Sequence, residues 1–122
     1  MEVVINRLGA RGDGIADTAE GPVYVPFALP GETVSARIGK SRGDGRAADL
    51  REVLSPSADR QVAVCRHFGP GENGCGGCVA QHIAPDAYTG WKRGVVSAAL
   101  ARHRIDVEVL PVISVASASR RR

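Results

Sequence analysis

The sequence predicts a mainly β protein with one helix: a small antiparallel β-barrel, then a cysteine-rich loop, a helix and a strand. Three observations favour this fold class. Residues 2–54 contain short apolar and β-branched runs separated by glycine and proline, which is typical of small antiparallel barrels. Three cysteines fall in a glycine-rich stretch at residues 65–78, which cannot form a regular element. Residues 85–104 then have apolar side chains at helical spacing.

The barrel is expected to contain five short strands joined by glycine-rich turns. In the third strand Val23, Val25 and Phe27 share one face, and Tyr24 takes the other. Prolines at both ends of that strand predict an edge position. The chain has only two Phe, two Tyr and one Trp, so the core must consist mainly of Val, Leu, Ile and Ala. The strands are expected at residues 2–8, 15–17, 22–27, 33–38 and 47–54.

The helix is expected to begin at Pro85, which suits the first helical position, and Asp86 suits the positive N-terminal dipole. Trp91 lies on the apolar stripe and is expected in the core, whereas His103 is expected to be exposed at the helix end. Residues 107–114 are again strand-like. The apolar stripe consists of Tyr88, Trp91, Val95, Ala98 and Ala99.

Composition excludes several classes of protein. No apolar run approaches the roughly 20 residues that a membrane helix needs, and the N-terminus lacks the pattern of a secretory signal. The expected location is the cytoplasm, with no membrane partner and no obligate protein partner. In that reducing compartment, three cysteines point to metal binding or catalysis more than to disulfides. The net charge is +3, with −1 on residues 1–60 and +4 on residues 61–122, and three of those four positive charges come from Arg120, Arg121 and Arg122.

The spacing Cys65-x9-Cys75-x2-Cys78 is the most informative feature of the sequence. Thiolates select soft metals, chiefly zinc or iron–sulfur clusters, and both prefer four ligands. In one interpretation a fourth cysteine lies outside the chain and the site holds an iron–sulfur cluster. In the other, His82 or His67 completes a Cys₃His zinc site. Spacing alone leaves both interpretations open.

A second candidate site is the polar hairpin around residues 40–46. Barrels of this kind bind nucleic acid through a charged face and loops. The alternative is a solvated hairpin, because Asp44, Asp49 and Glu52 dilute the positive charge. The candidate RNA-binding residues are Arg37, Lys40, Arg42 and Arg46.

Two sets of motifs carry a resemblance to a known family. The TrmA/RumA-like RNA uracil-5-methyltransferases, which use S-adenosylmethionine, have a cluster segment that resembles Cys65-Arg66-His67-Phe68, Cys75-Gly76-Gly77-Cys78-Val79-Ala80-Gln81-His82, Tyr88 and Trp91-Lys92. The TRAM domain of that family, an OB-like barrel, is similar to the stretches Gly12-Asp13-Gly14-Ile15-Ala16, Val23-Tyr24-Val25-Pro26 and Leu29-Pro30-Gly31-Glu32. The gap between the first two cysteines is longer here, as if Pro70–Asn73 were inserted.

The resemblance implies that Cys65, Cys75 and Cys78 ligate a [4Fe–4S] cluster, with the fourth ligand outside this chain. It implies methyl transfer to C5 of a uridine in RNA, with 23S ribosomal RNA as the expected substrate and tRNA as the other option. No catalytic residue is expected in this chain, so the chain alone should be inactive. The rival hypothesis is a stand-alone RNA-binding module with a Cys₃His zinc site and no enzymatic activity.

The expected domains follow from the same comparison. Residues 1–62 would form the RNA-docking TRAM-like barrel, and residues 63–84 would form the iron–sulfur loop. Residues 85–122 would form a helix and a strand that lead into a methyltransferase domain missing from the chain.

Overall fold

A computed structural model describes residues 1–115, so Arg120, Arg121 and Arg122 lie outside the described part. The chain divides into two compact units, Met1–Ile83 and the segment from Ala84 onward. Six strands and one helix confirm the mainly β class with one helix. No helix among residues 1–115 combines the length and apolarity needed to cross a membrane.

The first unit contains one six-stranded sheet with the strand order β1-β5-β6-β4-β3-β2. Its pairs are antiparallel except for β4 and β6, which run parallel. The sheet is therefore mixed, and the expectation of a purely antiparallel barrel was wrong in this respect. The strands are β1 (Glu2–Val4), β2 (Arg7–Leu8), β3 (Gly14–Thr18), β4 (Gly21–Val25), β5 (Thr33–Arg42) and β6 (Gly45–Ser55).

The single strand expected at residues 2–8 is instead two short strands at opposite edges of the sheet. Only Ile5 and Asn6 separate them. The Ile5 N–H donates to the Glu32 carbonyl at 2.9 Å, and the Asn6 N–H donates to the Ile15 carbonyl at 2.8 Å. The Cα atoms of Val4 and Arg7 can lie no more than about 10 Å apart, the reach of three extended residues, so the sheet must curl until its edges approach each other. The described strands β1 and β2 do not pair with each other, so the ladder is not closed.

Strand β4 lies inside the sheet, between β6 and β3, so the expectation of an edge position was wrong. Pro22 has no N–H to donate to a neighbouring strand. It is tolerated inside the sheet because it pairs only with Asp17 of β3, and the pairing with β6 begins at Val23 and includes Tyr24. Gly45 makes the parallel contact possible, since a Cβ at that position would collide with the Pro22 carbonyl oxygen. The parallel pair thus depends on a close backbone approach.

The barrel core is small and contains no aromatic residue, as the composition predicts. Val23 and Val25 of β4 are buried, and Tyr24 between them is half-buried, which confirms the expected alternation for these three residues. The expectation that Phe27 continues this strand was wrong, because β4 ends at Val25 and Phe27 has a positive φ of 68°. Strand β5 alternates in the same way, with Val34 and Ala36 buried. The buried cluster consists of Val3, Ile5, Ala16, Val23, Val25, Ala28, Val34, Ala36 and Ala48.

The second unit contains helix α1 (Pro85–Arg102), which begins at the predicted proline. None of the residues of α1 is buried, so the expectation that Trp91 belongs to a core was wrong. Trp91 packs edge-to-face on Tyr88, with 5.9 Å between ring centroids. His103 is exposed, as expected.

No strand forms among residues 105–115, contrary to the expectation for residues 107–114. Instead, the Arg93 Nε donates to the Val109 carbonyl at 2.7 Å. A strand requires a neighbouring strand to bond to, and the described part of this unit contains none. A strand-like composition at residues 107–114 is therefore not sufficient for a strand to form.

Candidate RNA-binding surface and cysteine loop

The segment after β6 is fastened to the barrel by an ion pair between Glu32 and Arg60. Glu32 is fully buried in the turn before β5. Its Oε1 accepts from the Arg60 Nε at 2.6 Å, and its Oε2 accepts from a terminal nitrogen of the same guanidinium at 2.8 Å. The carboxylate also accepts from the backbone N–H groups of Leu29 and Ser57. Burial favours a higher pKa for Glu32, but these hydrogen bonds outweigh burial and lower its pKa.

Arg60 also positions Phe27, a barrel residue that follows β4. Its guanidinium donates to the Phe27 carbonyl at 2.6 Å. Phe27 has a positive φ of 68°, which is uncommon for a bulky residue and needs support from its surroundings. This turn rotates the Phe27 ring toward Phe68 of the cysteine loop, with ring centroids 5.2 Å apart.

His82 completes an aromatic cluster with Phe27 and Phe68. Its ring stacks on Phe68, with centroids 5.5 Å apart and planes 24° apart. His82 is only 2% exposed, and neither ring nitrogen has a hydrogen-bond partner among residues 1–115. Burial, with a further contribution from the positive charge of Arg60, lowers the pKa of His82 to about 4. The imidazole is therefore neutral at physiological pH.

The cysteine loop is held mainly by backbone hydrogen bonds and by Gln81. The Cys65 N–H donates to the Gln81 Oε1 at 2.9 Å, and the Cys75 N–H donates to the His67 carbonyl at 2.7 Å. A Cβ at Gly74 would collide with the Gly69 carbonyl oxygen, so the fold of this loop requires glycine there. The family motif in the sequence includes Gln81, but it does not predict that the Gln81 amide oxygen accepts from the backbone N–H of Cys65, the first cysteine of the loop.

The three thiols are free, and the loop does not gather them into one site. Cys65 and Cys75 are exposed and Cys78 is half-buried. Among residues 1–115, no three His, Cys, Asp or Glu side chains lie close enough together to hold a metal ion. His82 is buried with the phenylalanines, and His67 instead accepts from the Arg66 Nε at 3.3 Å. The donor chemistry suits a soft metal, but the described loop geometry does not form such a site with three cysteines or with a histidine.

The basic hairpin expected from the sequence consists of β5 and β6, which extend further than predicted and turn over Gly43 and Asp44. Two of its four candidate cations are paired with acids: Arg37 with Asp49 at 3.0 Å and Arg42 with Asp13 at 2.6 Å. Arg46 is exposed and donates to the Gly39 carbonyl at 3.0 Å. Lys40 is exposed and has no ion pair within residues 1–115. Of the four candidates, Lys40 and Arg46 are therefore the two whose charge has no acidic partner among residues 1–115.

Sequence reasoning missed a polar cluster at the tip of the same hairpin. The guanidinium of Arg42 lies 4.6 Å from the Tyr24 ring centroid, within the range of a cation–π contact. The Tyr24 hydroxyl donates to Asp44 at 2.7 Å, and this hydrogen bond raises the pKa of Tyr24. Strand alternation predicts that Tyr24 points away from the core. It does not predict Arg42 and Asp44 as partners of Tyr24, because they lie about 20 residues further along the chain.

Comparison with known proteins agrees with this fold. Residues 1–44 match the model of the TRAM domain family. The chain is similar in structure to the Pyrococcus abyssi tRNA (uracil-54, C5)-methyltransferase, solved in complex with S-adenosyl-L-homocysteine, with a TM-score of 0.63 and 27% identity. That likeness covers 91% of this chain and 23% of the archaeal one. Residues 1–44 of the chain therefore carry a TRAM domain.

Three sequence relatives are described as RNA methyltransferases. The chain is 42% identical over 123 residues to an RNA methyltransferase of Caulobacter vibrioides, covering 100% of this chain and 28% of the relative. It is 55% identical over 100 residues to one of Agrobacterium fabrum, covering 80% and 23%. It is 39% identical over 107 residues to the 23S rRNA (uracil(1939)-C(5))-methyltransferase RlmD of Halomonas elongata, covering 87% and 21%.

The chain thus spans less than a third of the length of these relatives. The resemblance stated from the sequence is confirmed: the chain is related to the TrmA/RumA-like RNA uracil-5-methyltransferases and carries their TRAM domain. These relatives do not favour the rival hypothesis of a stand-alone zinc module.

Proposed function

We propose that this chain is a segment of an RNA (uracil-C5) methyltransferase that uses S-adenosylmethionine and acts on 23S ribosomal RNA in the cytoplasm. The observation that carries the proposal is the alignment of the whole chain, at 42% identity, with a much longer RNA methyltransferase. The 39% identity to a 23S rRNA enzyme favours ribosomal RNA over tRNA.

Within such an enzyme we assign this segment to RNA docking. The TRAM match covers β1 to β5 and the hairpin tip. The hairpin presents Lys40 and Arg46 without acidic partners, and Arg37 and Arg42 beside them can exchange their carboxylates for phosphates. Cationic side chains on a barrel loop suit sequence-independent contact with the RNA backbone.

We further propose that Cys65, Cys75 and Cys78 ligate a [4Fe–4S] cluster together with a fourth residue outside this chain. All three thiols are free, and the Cys75 Sγ already accepts a hydrogen bond from the Gly77 N–H at 3.4 Å. Because the described loop does not gather the thiols, ligation requires the loop to rearrange. Iron–sulfur clusters are held by cysteine thiolates, and metal binding commonly drives such ordering.

The proposal also places the reacting groups outside these residues. The three cysteines belong to the loop, and the buried His82 has no exposed nitrogen with which to move a proton. We therefore assign the nucleophile, the base and the cofactor pocket to a methyltransferase domain beyond this chain. On that view the 122 residues alone transfer no methyl group.

Methyl transfer tests the proposal directly. A longer protein that contains this chain and a methyltransferase domain is incubated with radiolabelled S-adenosylmethionine and unmodified 23S rRNA or tRNA, with the 122-residue chain alone in parallel. We expect labelled 5-methyluridine in 23S rRNA from the longer protein only. Label in tRNA alone would show that tRNA, and not 23S rRNA, is the substrate. Methyl transfer by the 122-residue chain alone would contradict its assignment as a segment without catalytic groups. No transfer by the longer protein would contradict the proposed methyltransferase activity.

A further inference from the structure

A cleft of about 400 Å³ lies between the barrel and the cysteine loop. Phe27 of the barrel and Phe68 and Pro70 of the loop form apolar walls, and Arg60 and His82 supply polar atoms. Pockets for small organic molecules usually occupy roughly 300–1,000 Å³ and combine apolar walls with a few polar groups. The cleft therefore has the size and lining of a site for one flat, partly polar group.

His82 is the observation that points to a ligand. It is 2% exposed, yet both of its ring nitrogens lack hydrogen-bond partners within residues 1–115. Buried polar atoms are almost always paired, and each exception requires an explanation. A neutral imidazole offers one N–H donor and one acceptor nitrogen. A phenylalanine would fill the same space beside Phe68 without leaving polar atoms unpaired.

A nucleobase matches these features. Its faces are apolar and its edge carries adjacent donors and acceptors, and RNA-binding proteins take unpaired bases onto aromatic rings. We propose that the cleft between the barrel and the cysteine loop binds a single unpaired RNA base, with His82 hydrogen-bonding to its edge and the rings of Phe27 and Phe68 packing on its faces. This inference rests on the proposed RNA function and names the part of the RNA that this surface takes up.

Access to His82 requires Phe68 to turn aside, because the Phe68 ring stacks over the imidazole. Phe68 is only half-buried, and the space beside the glycines that follow it is open. Gly69 and Gly71 have φ values of 140° and 102°, and no atom lies within 4 Å of where a Cβ would stand on either glycine. Phe68 thus covers His82 in the free protein and packs against the base in the complex. The Phe27 backbone stays in place meanwhile, because the Arg60 guanidinium donates to its carbonyl.

The test compares His82→Phe with His103→Phe in the 122-residue chain. The probes are single-stranded octauridine and octaadenosine, with inorganic polyphosphate as a probe that has charge but no bases. We expect His82→Phe to weaken binding of at least one RNA by about tenfold, the value of one to two lost hydrogen bonds, and to leave polyphosphate binding unchanged. His103→Phe, which changes an exposed histidine of the other unit, should alter neither.

Ring-nitrogen NMR signals supply a second readout. On addition of the better octanucleotide, the two His82 signals should shift with saturation while those of His103 stay in place. RNA binding of unchanged strength in a folded His82→Phe variant, or His82 signals that do not move at RNA saturation, would overturn the base pocket. Either result leaves the methyltransferase proposal intact, because methyl transfer is measured separately.

Discussion

Arg60 and Glu32 form a bidentate ion pair that joins the segment before the cysteine loop to the turn between β4 and β5. The carboxylate is fully buried, and the guanidinium side chain is 24% exposed. Because Arg60 also bonds to the Phe27 carbonyl, one side chain fixes both the barrel turn and the wall of the cleft. The pair differs in this respect from the exposed Arg37–Asp49 pair on the hairpin.

We predict that Arg60→Ala destabilises the chain by about 3 kcal/mol, because it leaves a buried carboxylate without its counter-charge. Urea denaturation followed by circular dichroism measures the loss. The matched control is Arg37→Ala, which breaks an ion pair whose side chains are 69% and 66% exposed. That change should cost no more than about 1 kcal/mol. Equal, small losses from both variants would contradict a structural role for the buried pair.

We predict that the chain loses stability as the pH falls from about 6.5 toward 4. The pKa of His82 is about 4 in the folded chain and ordinarily 6.5, so in this window the unfolded chain binds more protons and unfolding is favoured. At 1.36 kcal/mol per pKa unit the loss approaches about 3 kcal/mol. Stability is fully present above pH 6.5. Glu32, whose pKa is lowered, adds a further loss only at more acidic pH.

The control for this pH dependence is His82→Phe. Urea midpoints measured from pH 7 to pH 4 should fall for the wild type and stay nearly level for the variant. The variant should also be at least as stable as the wild type at pH 7, since it removes two unpaired buried nitrogens. A parallel fall in both proteins would show that another group is responsible.

We predict that Lys40→Ala combined with Arg46→Ala weakens single-stranded RNA binding and flattens its salt dependence. Each lost phosphate contact should reduce the log–log slope by about 0.7. A fluorescence titration at several salt concentrations measures the slope, with circular dichroism to check folding. The matched control removes two exposed cations of the other unit, Arg102→Ala with Arg104→Ala, and should leave the slope nearly unchanged. Equal slopes in wild type and the Lys40/Arg46 variant would assign RNA docking elsewhere.

We predict that a longer protein containing this chain, purified without oxygen, holds iron and acid-labile sulfide and is brown. Cys75→Ser should remove the iron, because serine does not replace a thiolate ligand. Elemental analysis and the visible spectrum give the result, and His82→Phe serves as the control that should keep its iron. Stoichiometric zinc without iron would reject the cluster proposal, and loss of that zinc in His82→Phe would favour the Cys₃His site.

Local sequence patterns predicted the parts of the fold that depend on neighbours in the chain. Alternation gave the buried and exposed faces of β4 and β5, and Pro85 gave the start of the helix. Gly31 and Gly43 lie in predicted turns and have positive φ values of 85° and 58°, which glycine adopts without cost.

Features that depend on distant partners were not predictable. Nothing local distinguishes Glu32 as a buried carboxylate, because its burial depends on Arg60. Likewise the position of β4 beside β6 depends on the missing side chain at Gly45, and the burial of His82 depends on Phe27. The split of residues 2–8 into two strands follows from sheet curvature, which no apolar pattern encodes.

The unequal lengths of the sheet's pairings bear on the order in which the barrel assembles. Strands β5 and β6 pair over nearly their whole length across a loop of two residues, so their contacts are local and close with little loss of chain entropy. The parallel β4–β6 pair and the β1–β5 pair join residues far apart in sequence, and such contacts slow folding. We expect the long hairpin to form early and the N-terminal strands to add to it late, so that substitutions within β1 mainly speed unfolding.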